Sequence, residues 1–257
     1  GALHGLFRVR CFTQDDAHIF MRREQITDEI VGVVHLINEV YSKFGFEYFV
    51  ELSTRPENSM GSDEDWEAAT NGLKTALEKL NLPYIVNEGD GAFYGPKIDF
   101  HLRDSLGRTW QCGTIQLDFQ MPLNFNLEYI DEKGERQRPI MIHRVCFGSI
   151  ERFIGILTEH FAGKFPTWLA PTQVKVLTLP GTDDSFAKEV YEKLRENKIR
   201  VELDDRNEKI GYKVREARQV DRVPYMLIIG KNEIENRVVS ARSRETDQTE
   251  TMTFDEF

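Results

Sequence analysis

Apolar residues fall at helical spacing from residue 26 to 41, where Ile26, Ile30, Val33, Val34, Ile37, Val40 and Tyr41 line one stripe and predict an amphipathic helix. "FEYFVELS" then alternates as a strand does. Ser62 precedes an acidic turn (Asp63, Glu64, Asp65), and Trp66, Ala69, Leu73, Leu77 and Leu80 follow at helical steps, so a second, capped helix is expected. From Tyr84 to about Val145 the period falls to two, with "YIVNEG", "KIDFHLRD", "RTWQCGTIQLDF", "FNLEYI" and "PIMIHRVCF" as short strands and "DSLG" as a hairpin turn. A helix from about Ser149 would bury Ile150, Phe153, Ile154, Leu157 and Phe161. Antiparallel strands with helices to one side indicate an α+β domain.

"KFPTWLAPTQ", at 164–173, interrupts both periods with two prolines and marks a domain boundary, which we place after residue 165. Beyond it the order turns regular. "VKVLTL", "IRVELDD", "YMLIIG" and "RVVSARS" read as strands, with helices over "DDSFAKEVYEKLREN" and "EKIGYKVREARQV". This βαβαβ order predicts an α/β domain over 166–257 with a mainly parallel sheet.

One strand carries an unusual face. Over "TQDDAHIFM", residues 13–21, the period of two puts Gln14, Asp16 and His18 on one side, and Arg8, Arg10 and Phe12 continue that side backwards. His143, in "IMIHRVCF", shares a face with Met141 and Val145. A lone histidine is more often a hydrogen-bonded core residue than a ligand, but a carboxylate two residues from His18 could orient it or read a group held at a metal. Zinc wants at least three protein ligands. By parity Cys11 and Cys146 point away from the two histidines, while Cys112 stays possible.

Other stretches offer binding chemistry. "GAFYGPKIDF" pairs a glycine-flanked Tyr94 with Lys97, in what is otherwise a tight turn into a strand. Gln111, Thr114 and Gln116 could read hydroxyl, amine or carboxylate groups, yet Gln111 and Gln116 differ in parity, so both face one ligand only if a bulge intervenes, at Gly113. In "FGSIERF", Gly148 and Ser149 open a helix whose N-terminus suits phosphate oxygens, with Arg152 to pair with the anion. Arg215, Arg218 and Arg222 recur at steps of three and four opposite Ile210, Val214 and Ala217; Arg200, Arg206, Lys209 and Lys213 enlarge the stripe into a candidate RNA-contacting surface, although such stripes are often only solvated.

Composition narrows the classes. The chain has 257 residues, 40% hydrophobic and 30% charged, and fits a globular protein of two domains. Its longest apolar runs are too short to span a bilayer, and the first residues do not form a signal peptide. Three widely spaced cysteines suit a reducing compartment, with cytoplasm as the default and an organelle still open. A net charge of −10 argues against nucleic acid along the whole chain but leaves room for a local basic patch.

In combination, "GALHGLFRVRCFTQDDAHIF", "LSTRPEN", "GDGAFYGPKIDF", "QCGTIQLDF", "IMIHRVCFGSIERFIGILTE", "FPTWLAPTQV" and "DDRNEKIGYKVREA" resemble, in order and spacing, the threonyl-tRNA synthetase family of class II aminoacyl-tRNA synthetases. The resemblance implies that residues 1–165 are part of a class II catalytic domain, from the motif 2 loop through motif 3, and that 166–257 are an anticodon-binding domain. It implies ATP-dependent activation of L-threonine to threonyl-adenylate and transfer to tRNA(Thr), in a homodimeric enzyme. Arg8, at the end of motif 2, and Arg152, in motif 3, would hold ATP with Gln111, Thr114 and Ser149, and Mg²⁺ would accompany the phosphates. His18 and His143 match two of three Zn²⁺ ligands, the third being a cysteine upstream of motif 2. Asp16 would accept from the threonine hydroxyl, and Gln14, Tyr94, Lys97 and Gln116 would complete the amino-acid pocket. Asn207, Arg215, Arg222, Glu233 and Arg242 match positions that read the anticodon.

The logic is coherent, because valine is nearly isosteric with threonine and only groups that need a hydroxyl partner penalise its absence strongly. Serine also has the hydroxyl, and the family rejects it in a separate editing domain. Several family features have no match: motif 1, the leading arginine of motif 2 and the upstream cysteine, while Cys11 stands where many relatives have glycine. The expectation is therefore a piece of a longer enzyme, clipped also after "TFDEF". The alternative is a non-catalytic tRNA-binding or regulatory paralogue, against which the joint retention of Arg8, Asp16, His18, His143 and Arg152 speaks. By itself the 257-residue polypeptide is expected neither to hold zinc tightly nor to activate threonine, and a normal threonine-dependent ATP–pyrophosphate exchange rate from it would overturn that expectation.

Overall fold

Period-two alternation in the first 160 residues becomes a sheet with one greasy and one polar face. In chain order the elements are β1 (Ala17–Met21), α1 (Ile26–Phe44), β2 (Tyr48–Ser53), α2 (Asp63–Lys79), β3 (Tyr84–Asn87), β4 (Lys97–Arg103), β5 (Thr109–Asp118), α3 (Gln120–Asn124), a small ribbon of β6 (Tyr129–Ile130) and β7 (Arg136–Gln137), β8 (Ile140–Val145) and α4 (Ile150–His160). The sheet has six strands in the order β1-β8-β5-β4-β2-β3, antiparallel except for the β2–β3 pair. Val50 and Leu52, Ile98, Phe100 and Leu102, and Ile115 and Leu117 form its buried side at 2% exposure or less, against α1 and α2. The cap expected on α2 is present, with the Ser62 hydroxyl accepting from the Asp65 N–H at 3.1 Å.

The expected bulge lies between β4 and β5. Phe100 pairs with Gly113 and His101 with Gln111, which leaves Cys112 as the extra residue. Glycine is required at 113 because a Cβ there would sit 2.7 Å from the Tyr41 hydroxyl. That hydroxyl, fully buried, donates to the Cys146 carbonyl at 2.6 Å, so it has nowhere to retreat.

The strand expected over residues 8–21 is shorter than its alternation implied. Only Ala17–Met21 pairs in the sheet: Asp16 falls opposite Val145, the last residue of β8, and past it the Cys146 and Phe147 N–H groups go to the Asp15 side chain and not to a backbone ladder. Further back the chain bends at Arg10 and Cys11, and Arg8 closes a turn on the His4 carbonyl, so Arg8 does not share a strand face with His18. Residues 13–15 are held instead by acids: Glu151 accepts from the Thr13 N–H at 3.0 Å, and Asp15 accepts from the N–H groups of Cys146 and Phe147 at 2.7 and 3.0 Å. Gln14, Asp16 and His18 nevertheless stay exposed together, with Asp15 and Ala17 half-buried between them.

The computed structural model describes residues 2–257 and comprises two units, one ending at His160 and one spanning Phe161–Phe257. The second contains β9 (Val174–Thr178), α5 (Ser185–Glu196), β10 (Val201–Asp204), α6 (Ile210–Gln219), β11 (Tyr225–Ile229), α7 (Lys231–Asn236), β12 (Val238–Ser243) and β13 (Thr249–Thr253). Its sheet runs β10-β9-β11-β12-β13. The β10–β9 and β9–β11 ladders are parallel, as the βαβαβ order requires, but β11–β12 and β12–β13 are antiparallel. Mainly parallel therefore gives way to mixed. The six-residue α7 and the turn after β12 are too short for the crossover of a dozen or more residues that a parallel return needs. Among the described residues no helix is long and apolar enough to cross a membrane.

Gly113→Ala is expected to lower stability by about 1–3 kcal/mol, the usual range for overpacking a closed core, as read by chemical unfolding; an unchanged midpoint would contradict the close approach to Tyr41. Glu151 is held below the ordinary glutamate range by its own backbone N–H and that of Thr13. Its lowered folded pKa means that this tie is present above the unfolded pKa and is lost as pH falls through the folded one. Hydrogen exchange at the Thr13 amide should thus stay slow down to pH values below the usual glutamate titration and become fast at neutral pH in Glu151→Ala.

Candidate active site

The polar face of the sheet collects most of the expected site residues. One register row crosses all six strands and reads His18, His143, Gln116, Lys97, Ser53, Asn87. The row beside it pairs Asp99 with Thr114, and the bulge returns Gln111 to the same face. Strand pairing, with its fixed spacing, is what assembles groups distant in sequence.

At one end of the row His18 and His143 face each other edge to face, their ring centroids 4.7 Å apart. Asp16 Oδ2 lies 3.8 Å from His18 Nε2. His143 Nε2 meets Asp118 Oδ2 at 2.8 Å, and Asp118 Oδ1 accepts from the N–H groups of Gln120 and Met121, so a fully buried carboxylate fixes that ring. Tyr94 stands 5.3 Å from the His143 ring and donates its hydroxyl proton to Gln116 Oε1 at 2.5 Å. Burial, aided by the charges of Asp118 and Asp16, pushes the Tyr94 phenol up to about 12. It stays protonated at neutral pH.

The centre of the floor hangs on Asp99, which is 1% exposed. Oδ2 accepts from Lys97 Nζ at 2.6 Å and the Ser53 hydroxyl at 3.0 Å; Oδ1 accepts from Gln111 Nε2 at 2.6 Å and the Thr114 hydroxyl at 3.0 Å. Burial works against the Lys97 ammonium, but its bonds to Asp99 and Asp90 outweigh that and raise its pKa, so it remains a cation.

The other end of the floor opens into a cavity of about 320 Å³ whose walls include Arg8, Gln14, Gln111, Thr114, Ser149 and Arg152. Phe7 and Phe12 add aromatic surface. Gly148, at φ +68°, lets the chain pass 2.7 Å, measured from a Cβ placed on it, from the Cys112 carbonyl, and Ser149 Oγ then accepts from the Arg152 N–H at 3.3 Å. The Arg152 guanidinium donates to the Phe7 carbonyl at 3.1 Å and stacks near Trp110. The cavity thus combines two arginines, a helix start and planar side chains, a set suited to a polyanion bearing an aromatic base. A larger cavity of about 520 Å³, in the second unit beside Tyr225 and Phe257, contains none of the expected site residues.

Asp99, Asp118, Asp15 and Glu151 were not anticipated as site residues. Parity could have found two of them, since Asp99 shares a face with Lys97 and Asp118 with Gln116. Cys112 lines the cavity, not the histidine pair, and burial pushes its thiol up to about 12 and that of Cys146 up to about 11. Among the described residues no group of three or more His, Cys, Asp or Glu side chains is placed to hold a metal ion. The histidine pair offers two corners of a tetrahedral set, with Asp16 close by.

In the second unit Asn207 and Arg215 are exposed, the latter on α6. Arg222 is exposed at φ +54° and bonds the Ala162 carbonyl, and Arg242 is held by Asp247 Oδ1 at 2.8 Å. Glu233 is turned inward, accepting from the Gly230 N–H at 2.9 Å and the Ser240 hydroxyl at 2.8 Å. The basic stripe is narrower than its sequence suggests. Lys213 is fully buried, its ammonium bonded to the Thr178 and Asp204 carbonyls at 3.0 and 2.9 Å, and Arg206 is committed to Asp204 and Glu216. The alternation over α6 could not distinguish a wet lysine from one anchored under the strand ends.

Comparison with known proteins adds a family to this geometry. Residues 1–161 match the model of the tRNA synthetase class II core domain (G, H, P, S and T), and residues 173–257 match the anticodon binding domain. The chain is 67% identical to the threonine–tRNA ligase of Caldanaerobacter subterraneus subsp. tengcongensis and 66% identical to that of Clostridium tetani, each over all 257 residues. It spans 40% of the length of those relatives. Among solved structures, the RNA binding domain of threonyl-tRNA synthetase from Cryptosporidium parvum Iowa II superposes with a TM-score of 0.95 at 44% identity, covering 99% of this chain and 64% of that one. A putative threonyl-tRNA synthetase from Aeropyrum pernix gives 0.81 at 31% identity, over 97% of this chain and 60% of the other. The six-stranded, antiparallel-rich first unit and the α/β second unit thus coincide with the two matched families, and the chain belongs to the class II tRNA synthetases, as a core domain joined to an anticodon-binding domain.

Proposed function

We propose that the chain is the core and anticodon-binding portion of a threonine–tRNA ligase, which joins L-threonine to ATP as threonyl-adenylate and passes the threonyl group to tRNA(Thr). The observation that carries this reading is the His18–His143 pair at 4.7 Å, set beside Asp16 on the floor that continues into the arginine-lined cavity. The identities of 63–68% to enzymes of that name support it.

In this reading ATP occupies the cavity, with Arg8 and Arg152 drawing charge from its phosphates and Mg²⁺ sharing that task. Gln111, Thr114 and Ser149 bound the nucleotide. Threonine lies over the row of His18, His143, Gln116 and Lys97, with Gln14 and Tyr94 at its sides. Lys97, kept cationic by Asp99 and Asp90, faces the carboxylate. One carboxylate oxygen attacks the α-phosphorus, a carboxyl–phosphate bond forms, and the bond to the β-phosphate breaks to release pyrophosphate. His18 and His143 suit Zn²⁺ as two imidazole ligands, a third protein ligand lying outside the described residues. When bound, the ion would take the amino and hydroxyl groups of threonine as a Lewis acid. Asp16, beside His18, accepts from the same hydroxyl, so valine leaves it without a partner. Asn207, Arg215, Arg222, Glu233 and Arg242 serve the anticodon, and the complete enzyme works as a cytoplasmic homodimer.

The test uses the complete gene product in threonine-dependent ATP–pyrophosphate exchange. Wild type should exchange with threonine and not with valine, and His143→Ala should lose both exchange and bound zinc. Asp16→Ala should shrink the threonine-over-valine ratio of kcat/KM by on the order of 10–100-fold, the cost of losing one hydrogen bond to a charged group. An undiminished ratio in Asp16→Ala would remove Asp16 from the reading, and wild-type exchange driven by another amino acid would overturn the reading itself.

A further inference from the structure

The donor or acceptor character of three ligand-facing positions is decided by the groups beneath them. A carboxylate can only accept, so all four partners of Asp99 must donate to it. Gln111 gives one Nε2–H to Oδ1, which fixes the amide's nitrogen end on Asp99 and leaves its carbonyl Oε1 to meet a ligand as an acceptor. The Thr114 hydroxyl proton goes to the same oxygen, which leaves its lone pairs outward. Gln116 has the opposite sense. Its Oε1 accepts the Tyr94 hydroxyl proton, and its Nε2 is left for the ligand. All three side chains line the same cavity.

We propose that Asp99 is a positioning residue that sets Gln111 and Thr114 as acceptors for N–H or O–H groups of the bound substrate, while Tyr94 sets Gln116 as a donor to one of its oxygens. The proposal rests on the reading that threonine and ATP occupy this floor, and it deepens that reading. An amide can rotate by half a turn at little cost in shape, presenting NH₂ where an oxygen was, so a glutamine without a fixed partner reads donors and acceptors alike. The buried carboxylate removes that ambiguity. It also links the two subsites, since Oδ1 holds the pair on the nucleotide side and Oδ2 holds Lys97 on the amino-acid side. The bulge at Cys112 is a precondition, because without it Gln111 would point to the opposite face.

A polarity swap tests this. In Asp99→Asn/Gln111→Glu, the new amide N–H₂ can donate to one oxygen of the new carboxylate while its other oxygen faces the cavity, so the outward acceptor returns. In the complete gene product, Asp99→Asn and Gln111→Glu should each lower kcat/KM for ATP–pyrophosphate exchange about tenfold or more, mainly through KM, as expected when a hydrogen bond to a charged group is lost. The double variant should recover at least several-fold over the poorer single one. Thr114→Val, which keeps the shape but removes both the outward acceptor and one donor to Asp99, should raise KM with kcat little changed. Unaltered kinetics in Asp99→Asn or Thr114→Val would overturn the proposal, as would a double variant that merely multiplies the two single losses. A second readout does not depend on activity: chemical unfolding of the 257-residue chain should show non-additive effects of the substitutions at 99 and 111, and strict additivity would overturn the pairing. Wild-type protein without threonine-dependent exchange but with this coupling would refute the functional reading and leave the positioning role of Asp99 standing.

Discussion

The placement of the site depends on one close approach, Gly113 lying against the Tyr41 hydroxyl with no room for a Cβ between them. The bulge that this contact accommodates shifts the parity of β5 by one residue. Downstream of it Thr114 and Gln116 face the floor; upstream Gln111 joins them, although an unbroken strand would send it to the helix side. A period of exactly two is otherwise unforgiving, and a single extra residue in a ladder is the least disruptive way to bring residues of opposite parity together. The hydroxyl that fills the space below is itself tied to the Cys146 carbonyl, close to the start of α4, so the bulge, the end of β8 and the arginine-bearing helix are packed as one unit.

Around this frame the polar residues are arranged as carboxylates with full sets of donors. Asp99 takes four hydrogen bonds and Asp118 three, while Asp15 and Glu151 close the backbone where β1 runs out of partners. Buried charge is tolerable only with such satisfaction, and each satisfied acid has a direction to impose. A ligand pocket built over them receives side chains already oriented, which lowers the cost of ordering them on binding. The second unit uses the same device with opposite charge, Lys213 donating to carbonyls at the ends of β9 and β10 from beneath α6.

Much of this could be read from the chain. Helical stripes located α1, α2 and α4, although Ile154, expected on the buried side of α4, is exposed and Ile156 is buried; the Ser62 cap was visible, and the glycine in a strand with mismatched glutamines pointed to the bulge. Less was visible where a local period has more than one physical cause. Alternation ran from Arg8 to Met21, yet only Ala17–Met21 found a neighbour, since a strand needs a partner as well as a pattern. Lys213 sits on a stripe with exposed arginines and is nonetheless buried, because its long stem reaches past the apolar face to the strand ends.

Residue type and spacing alone determined which side chains could do chemistry here and on which strand face most of them lie, because the periods of helix and strand are properties of the backbone. Proximity was a different matter. That His18 meets His143, that Asp99 gathers Lys97, Gln111 and Thr114, and that Glu151 secures Thr13 follow from strand order and register, which are set by how two apolar helices cover one face of a folded sheet and not by any local pattern.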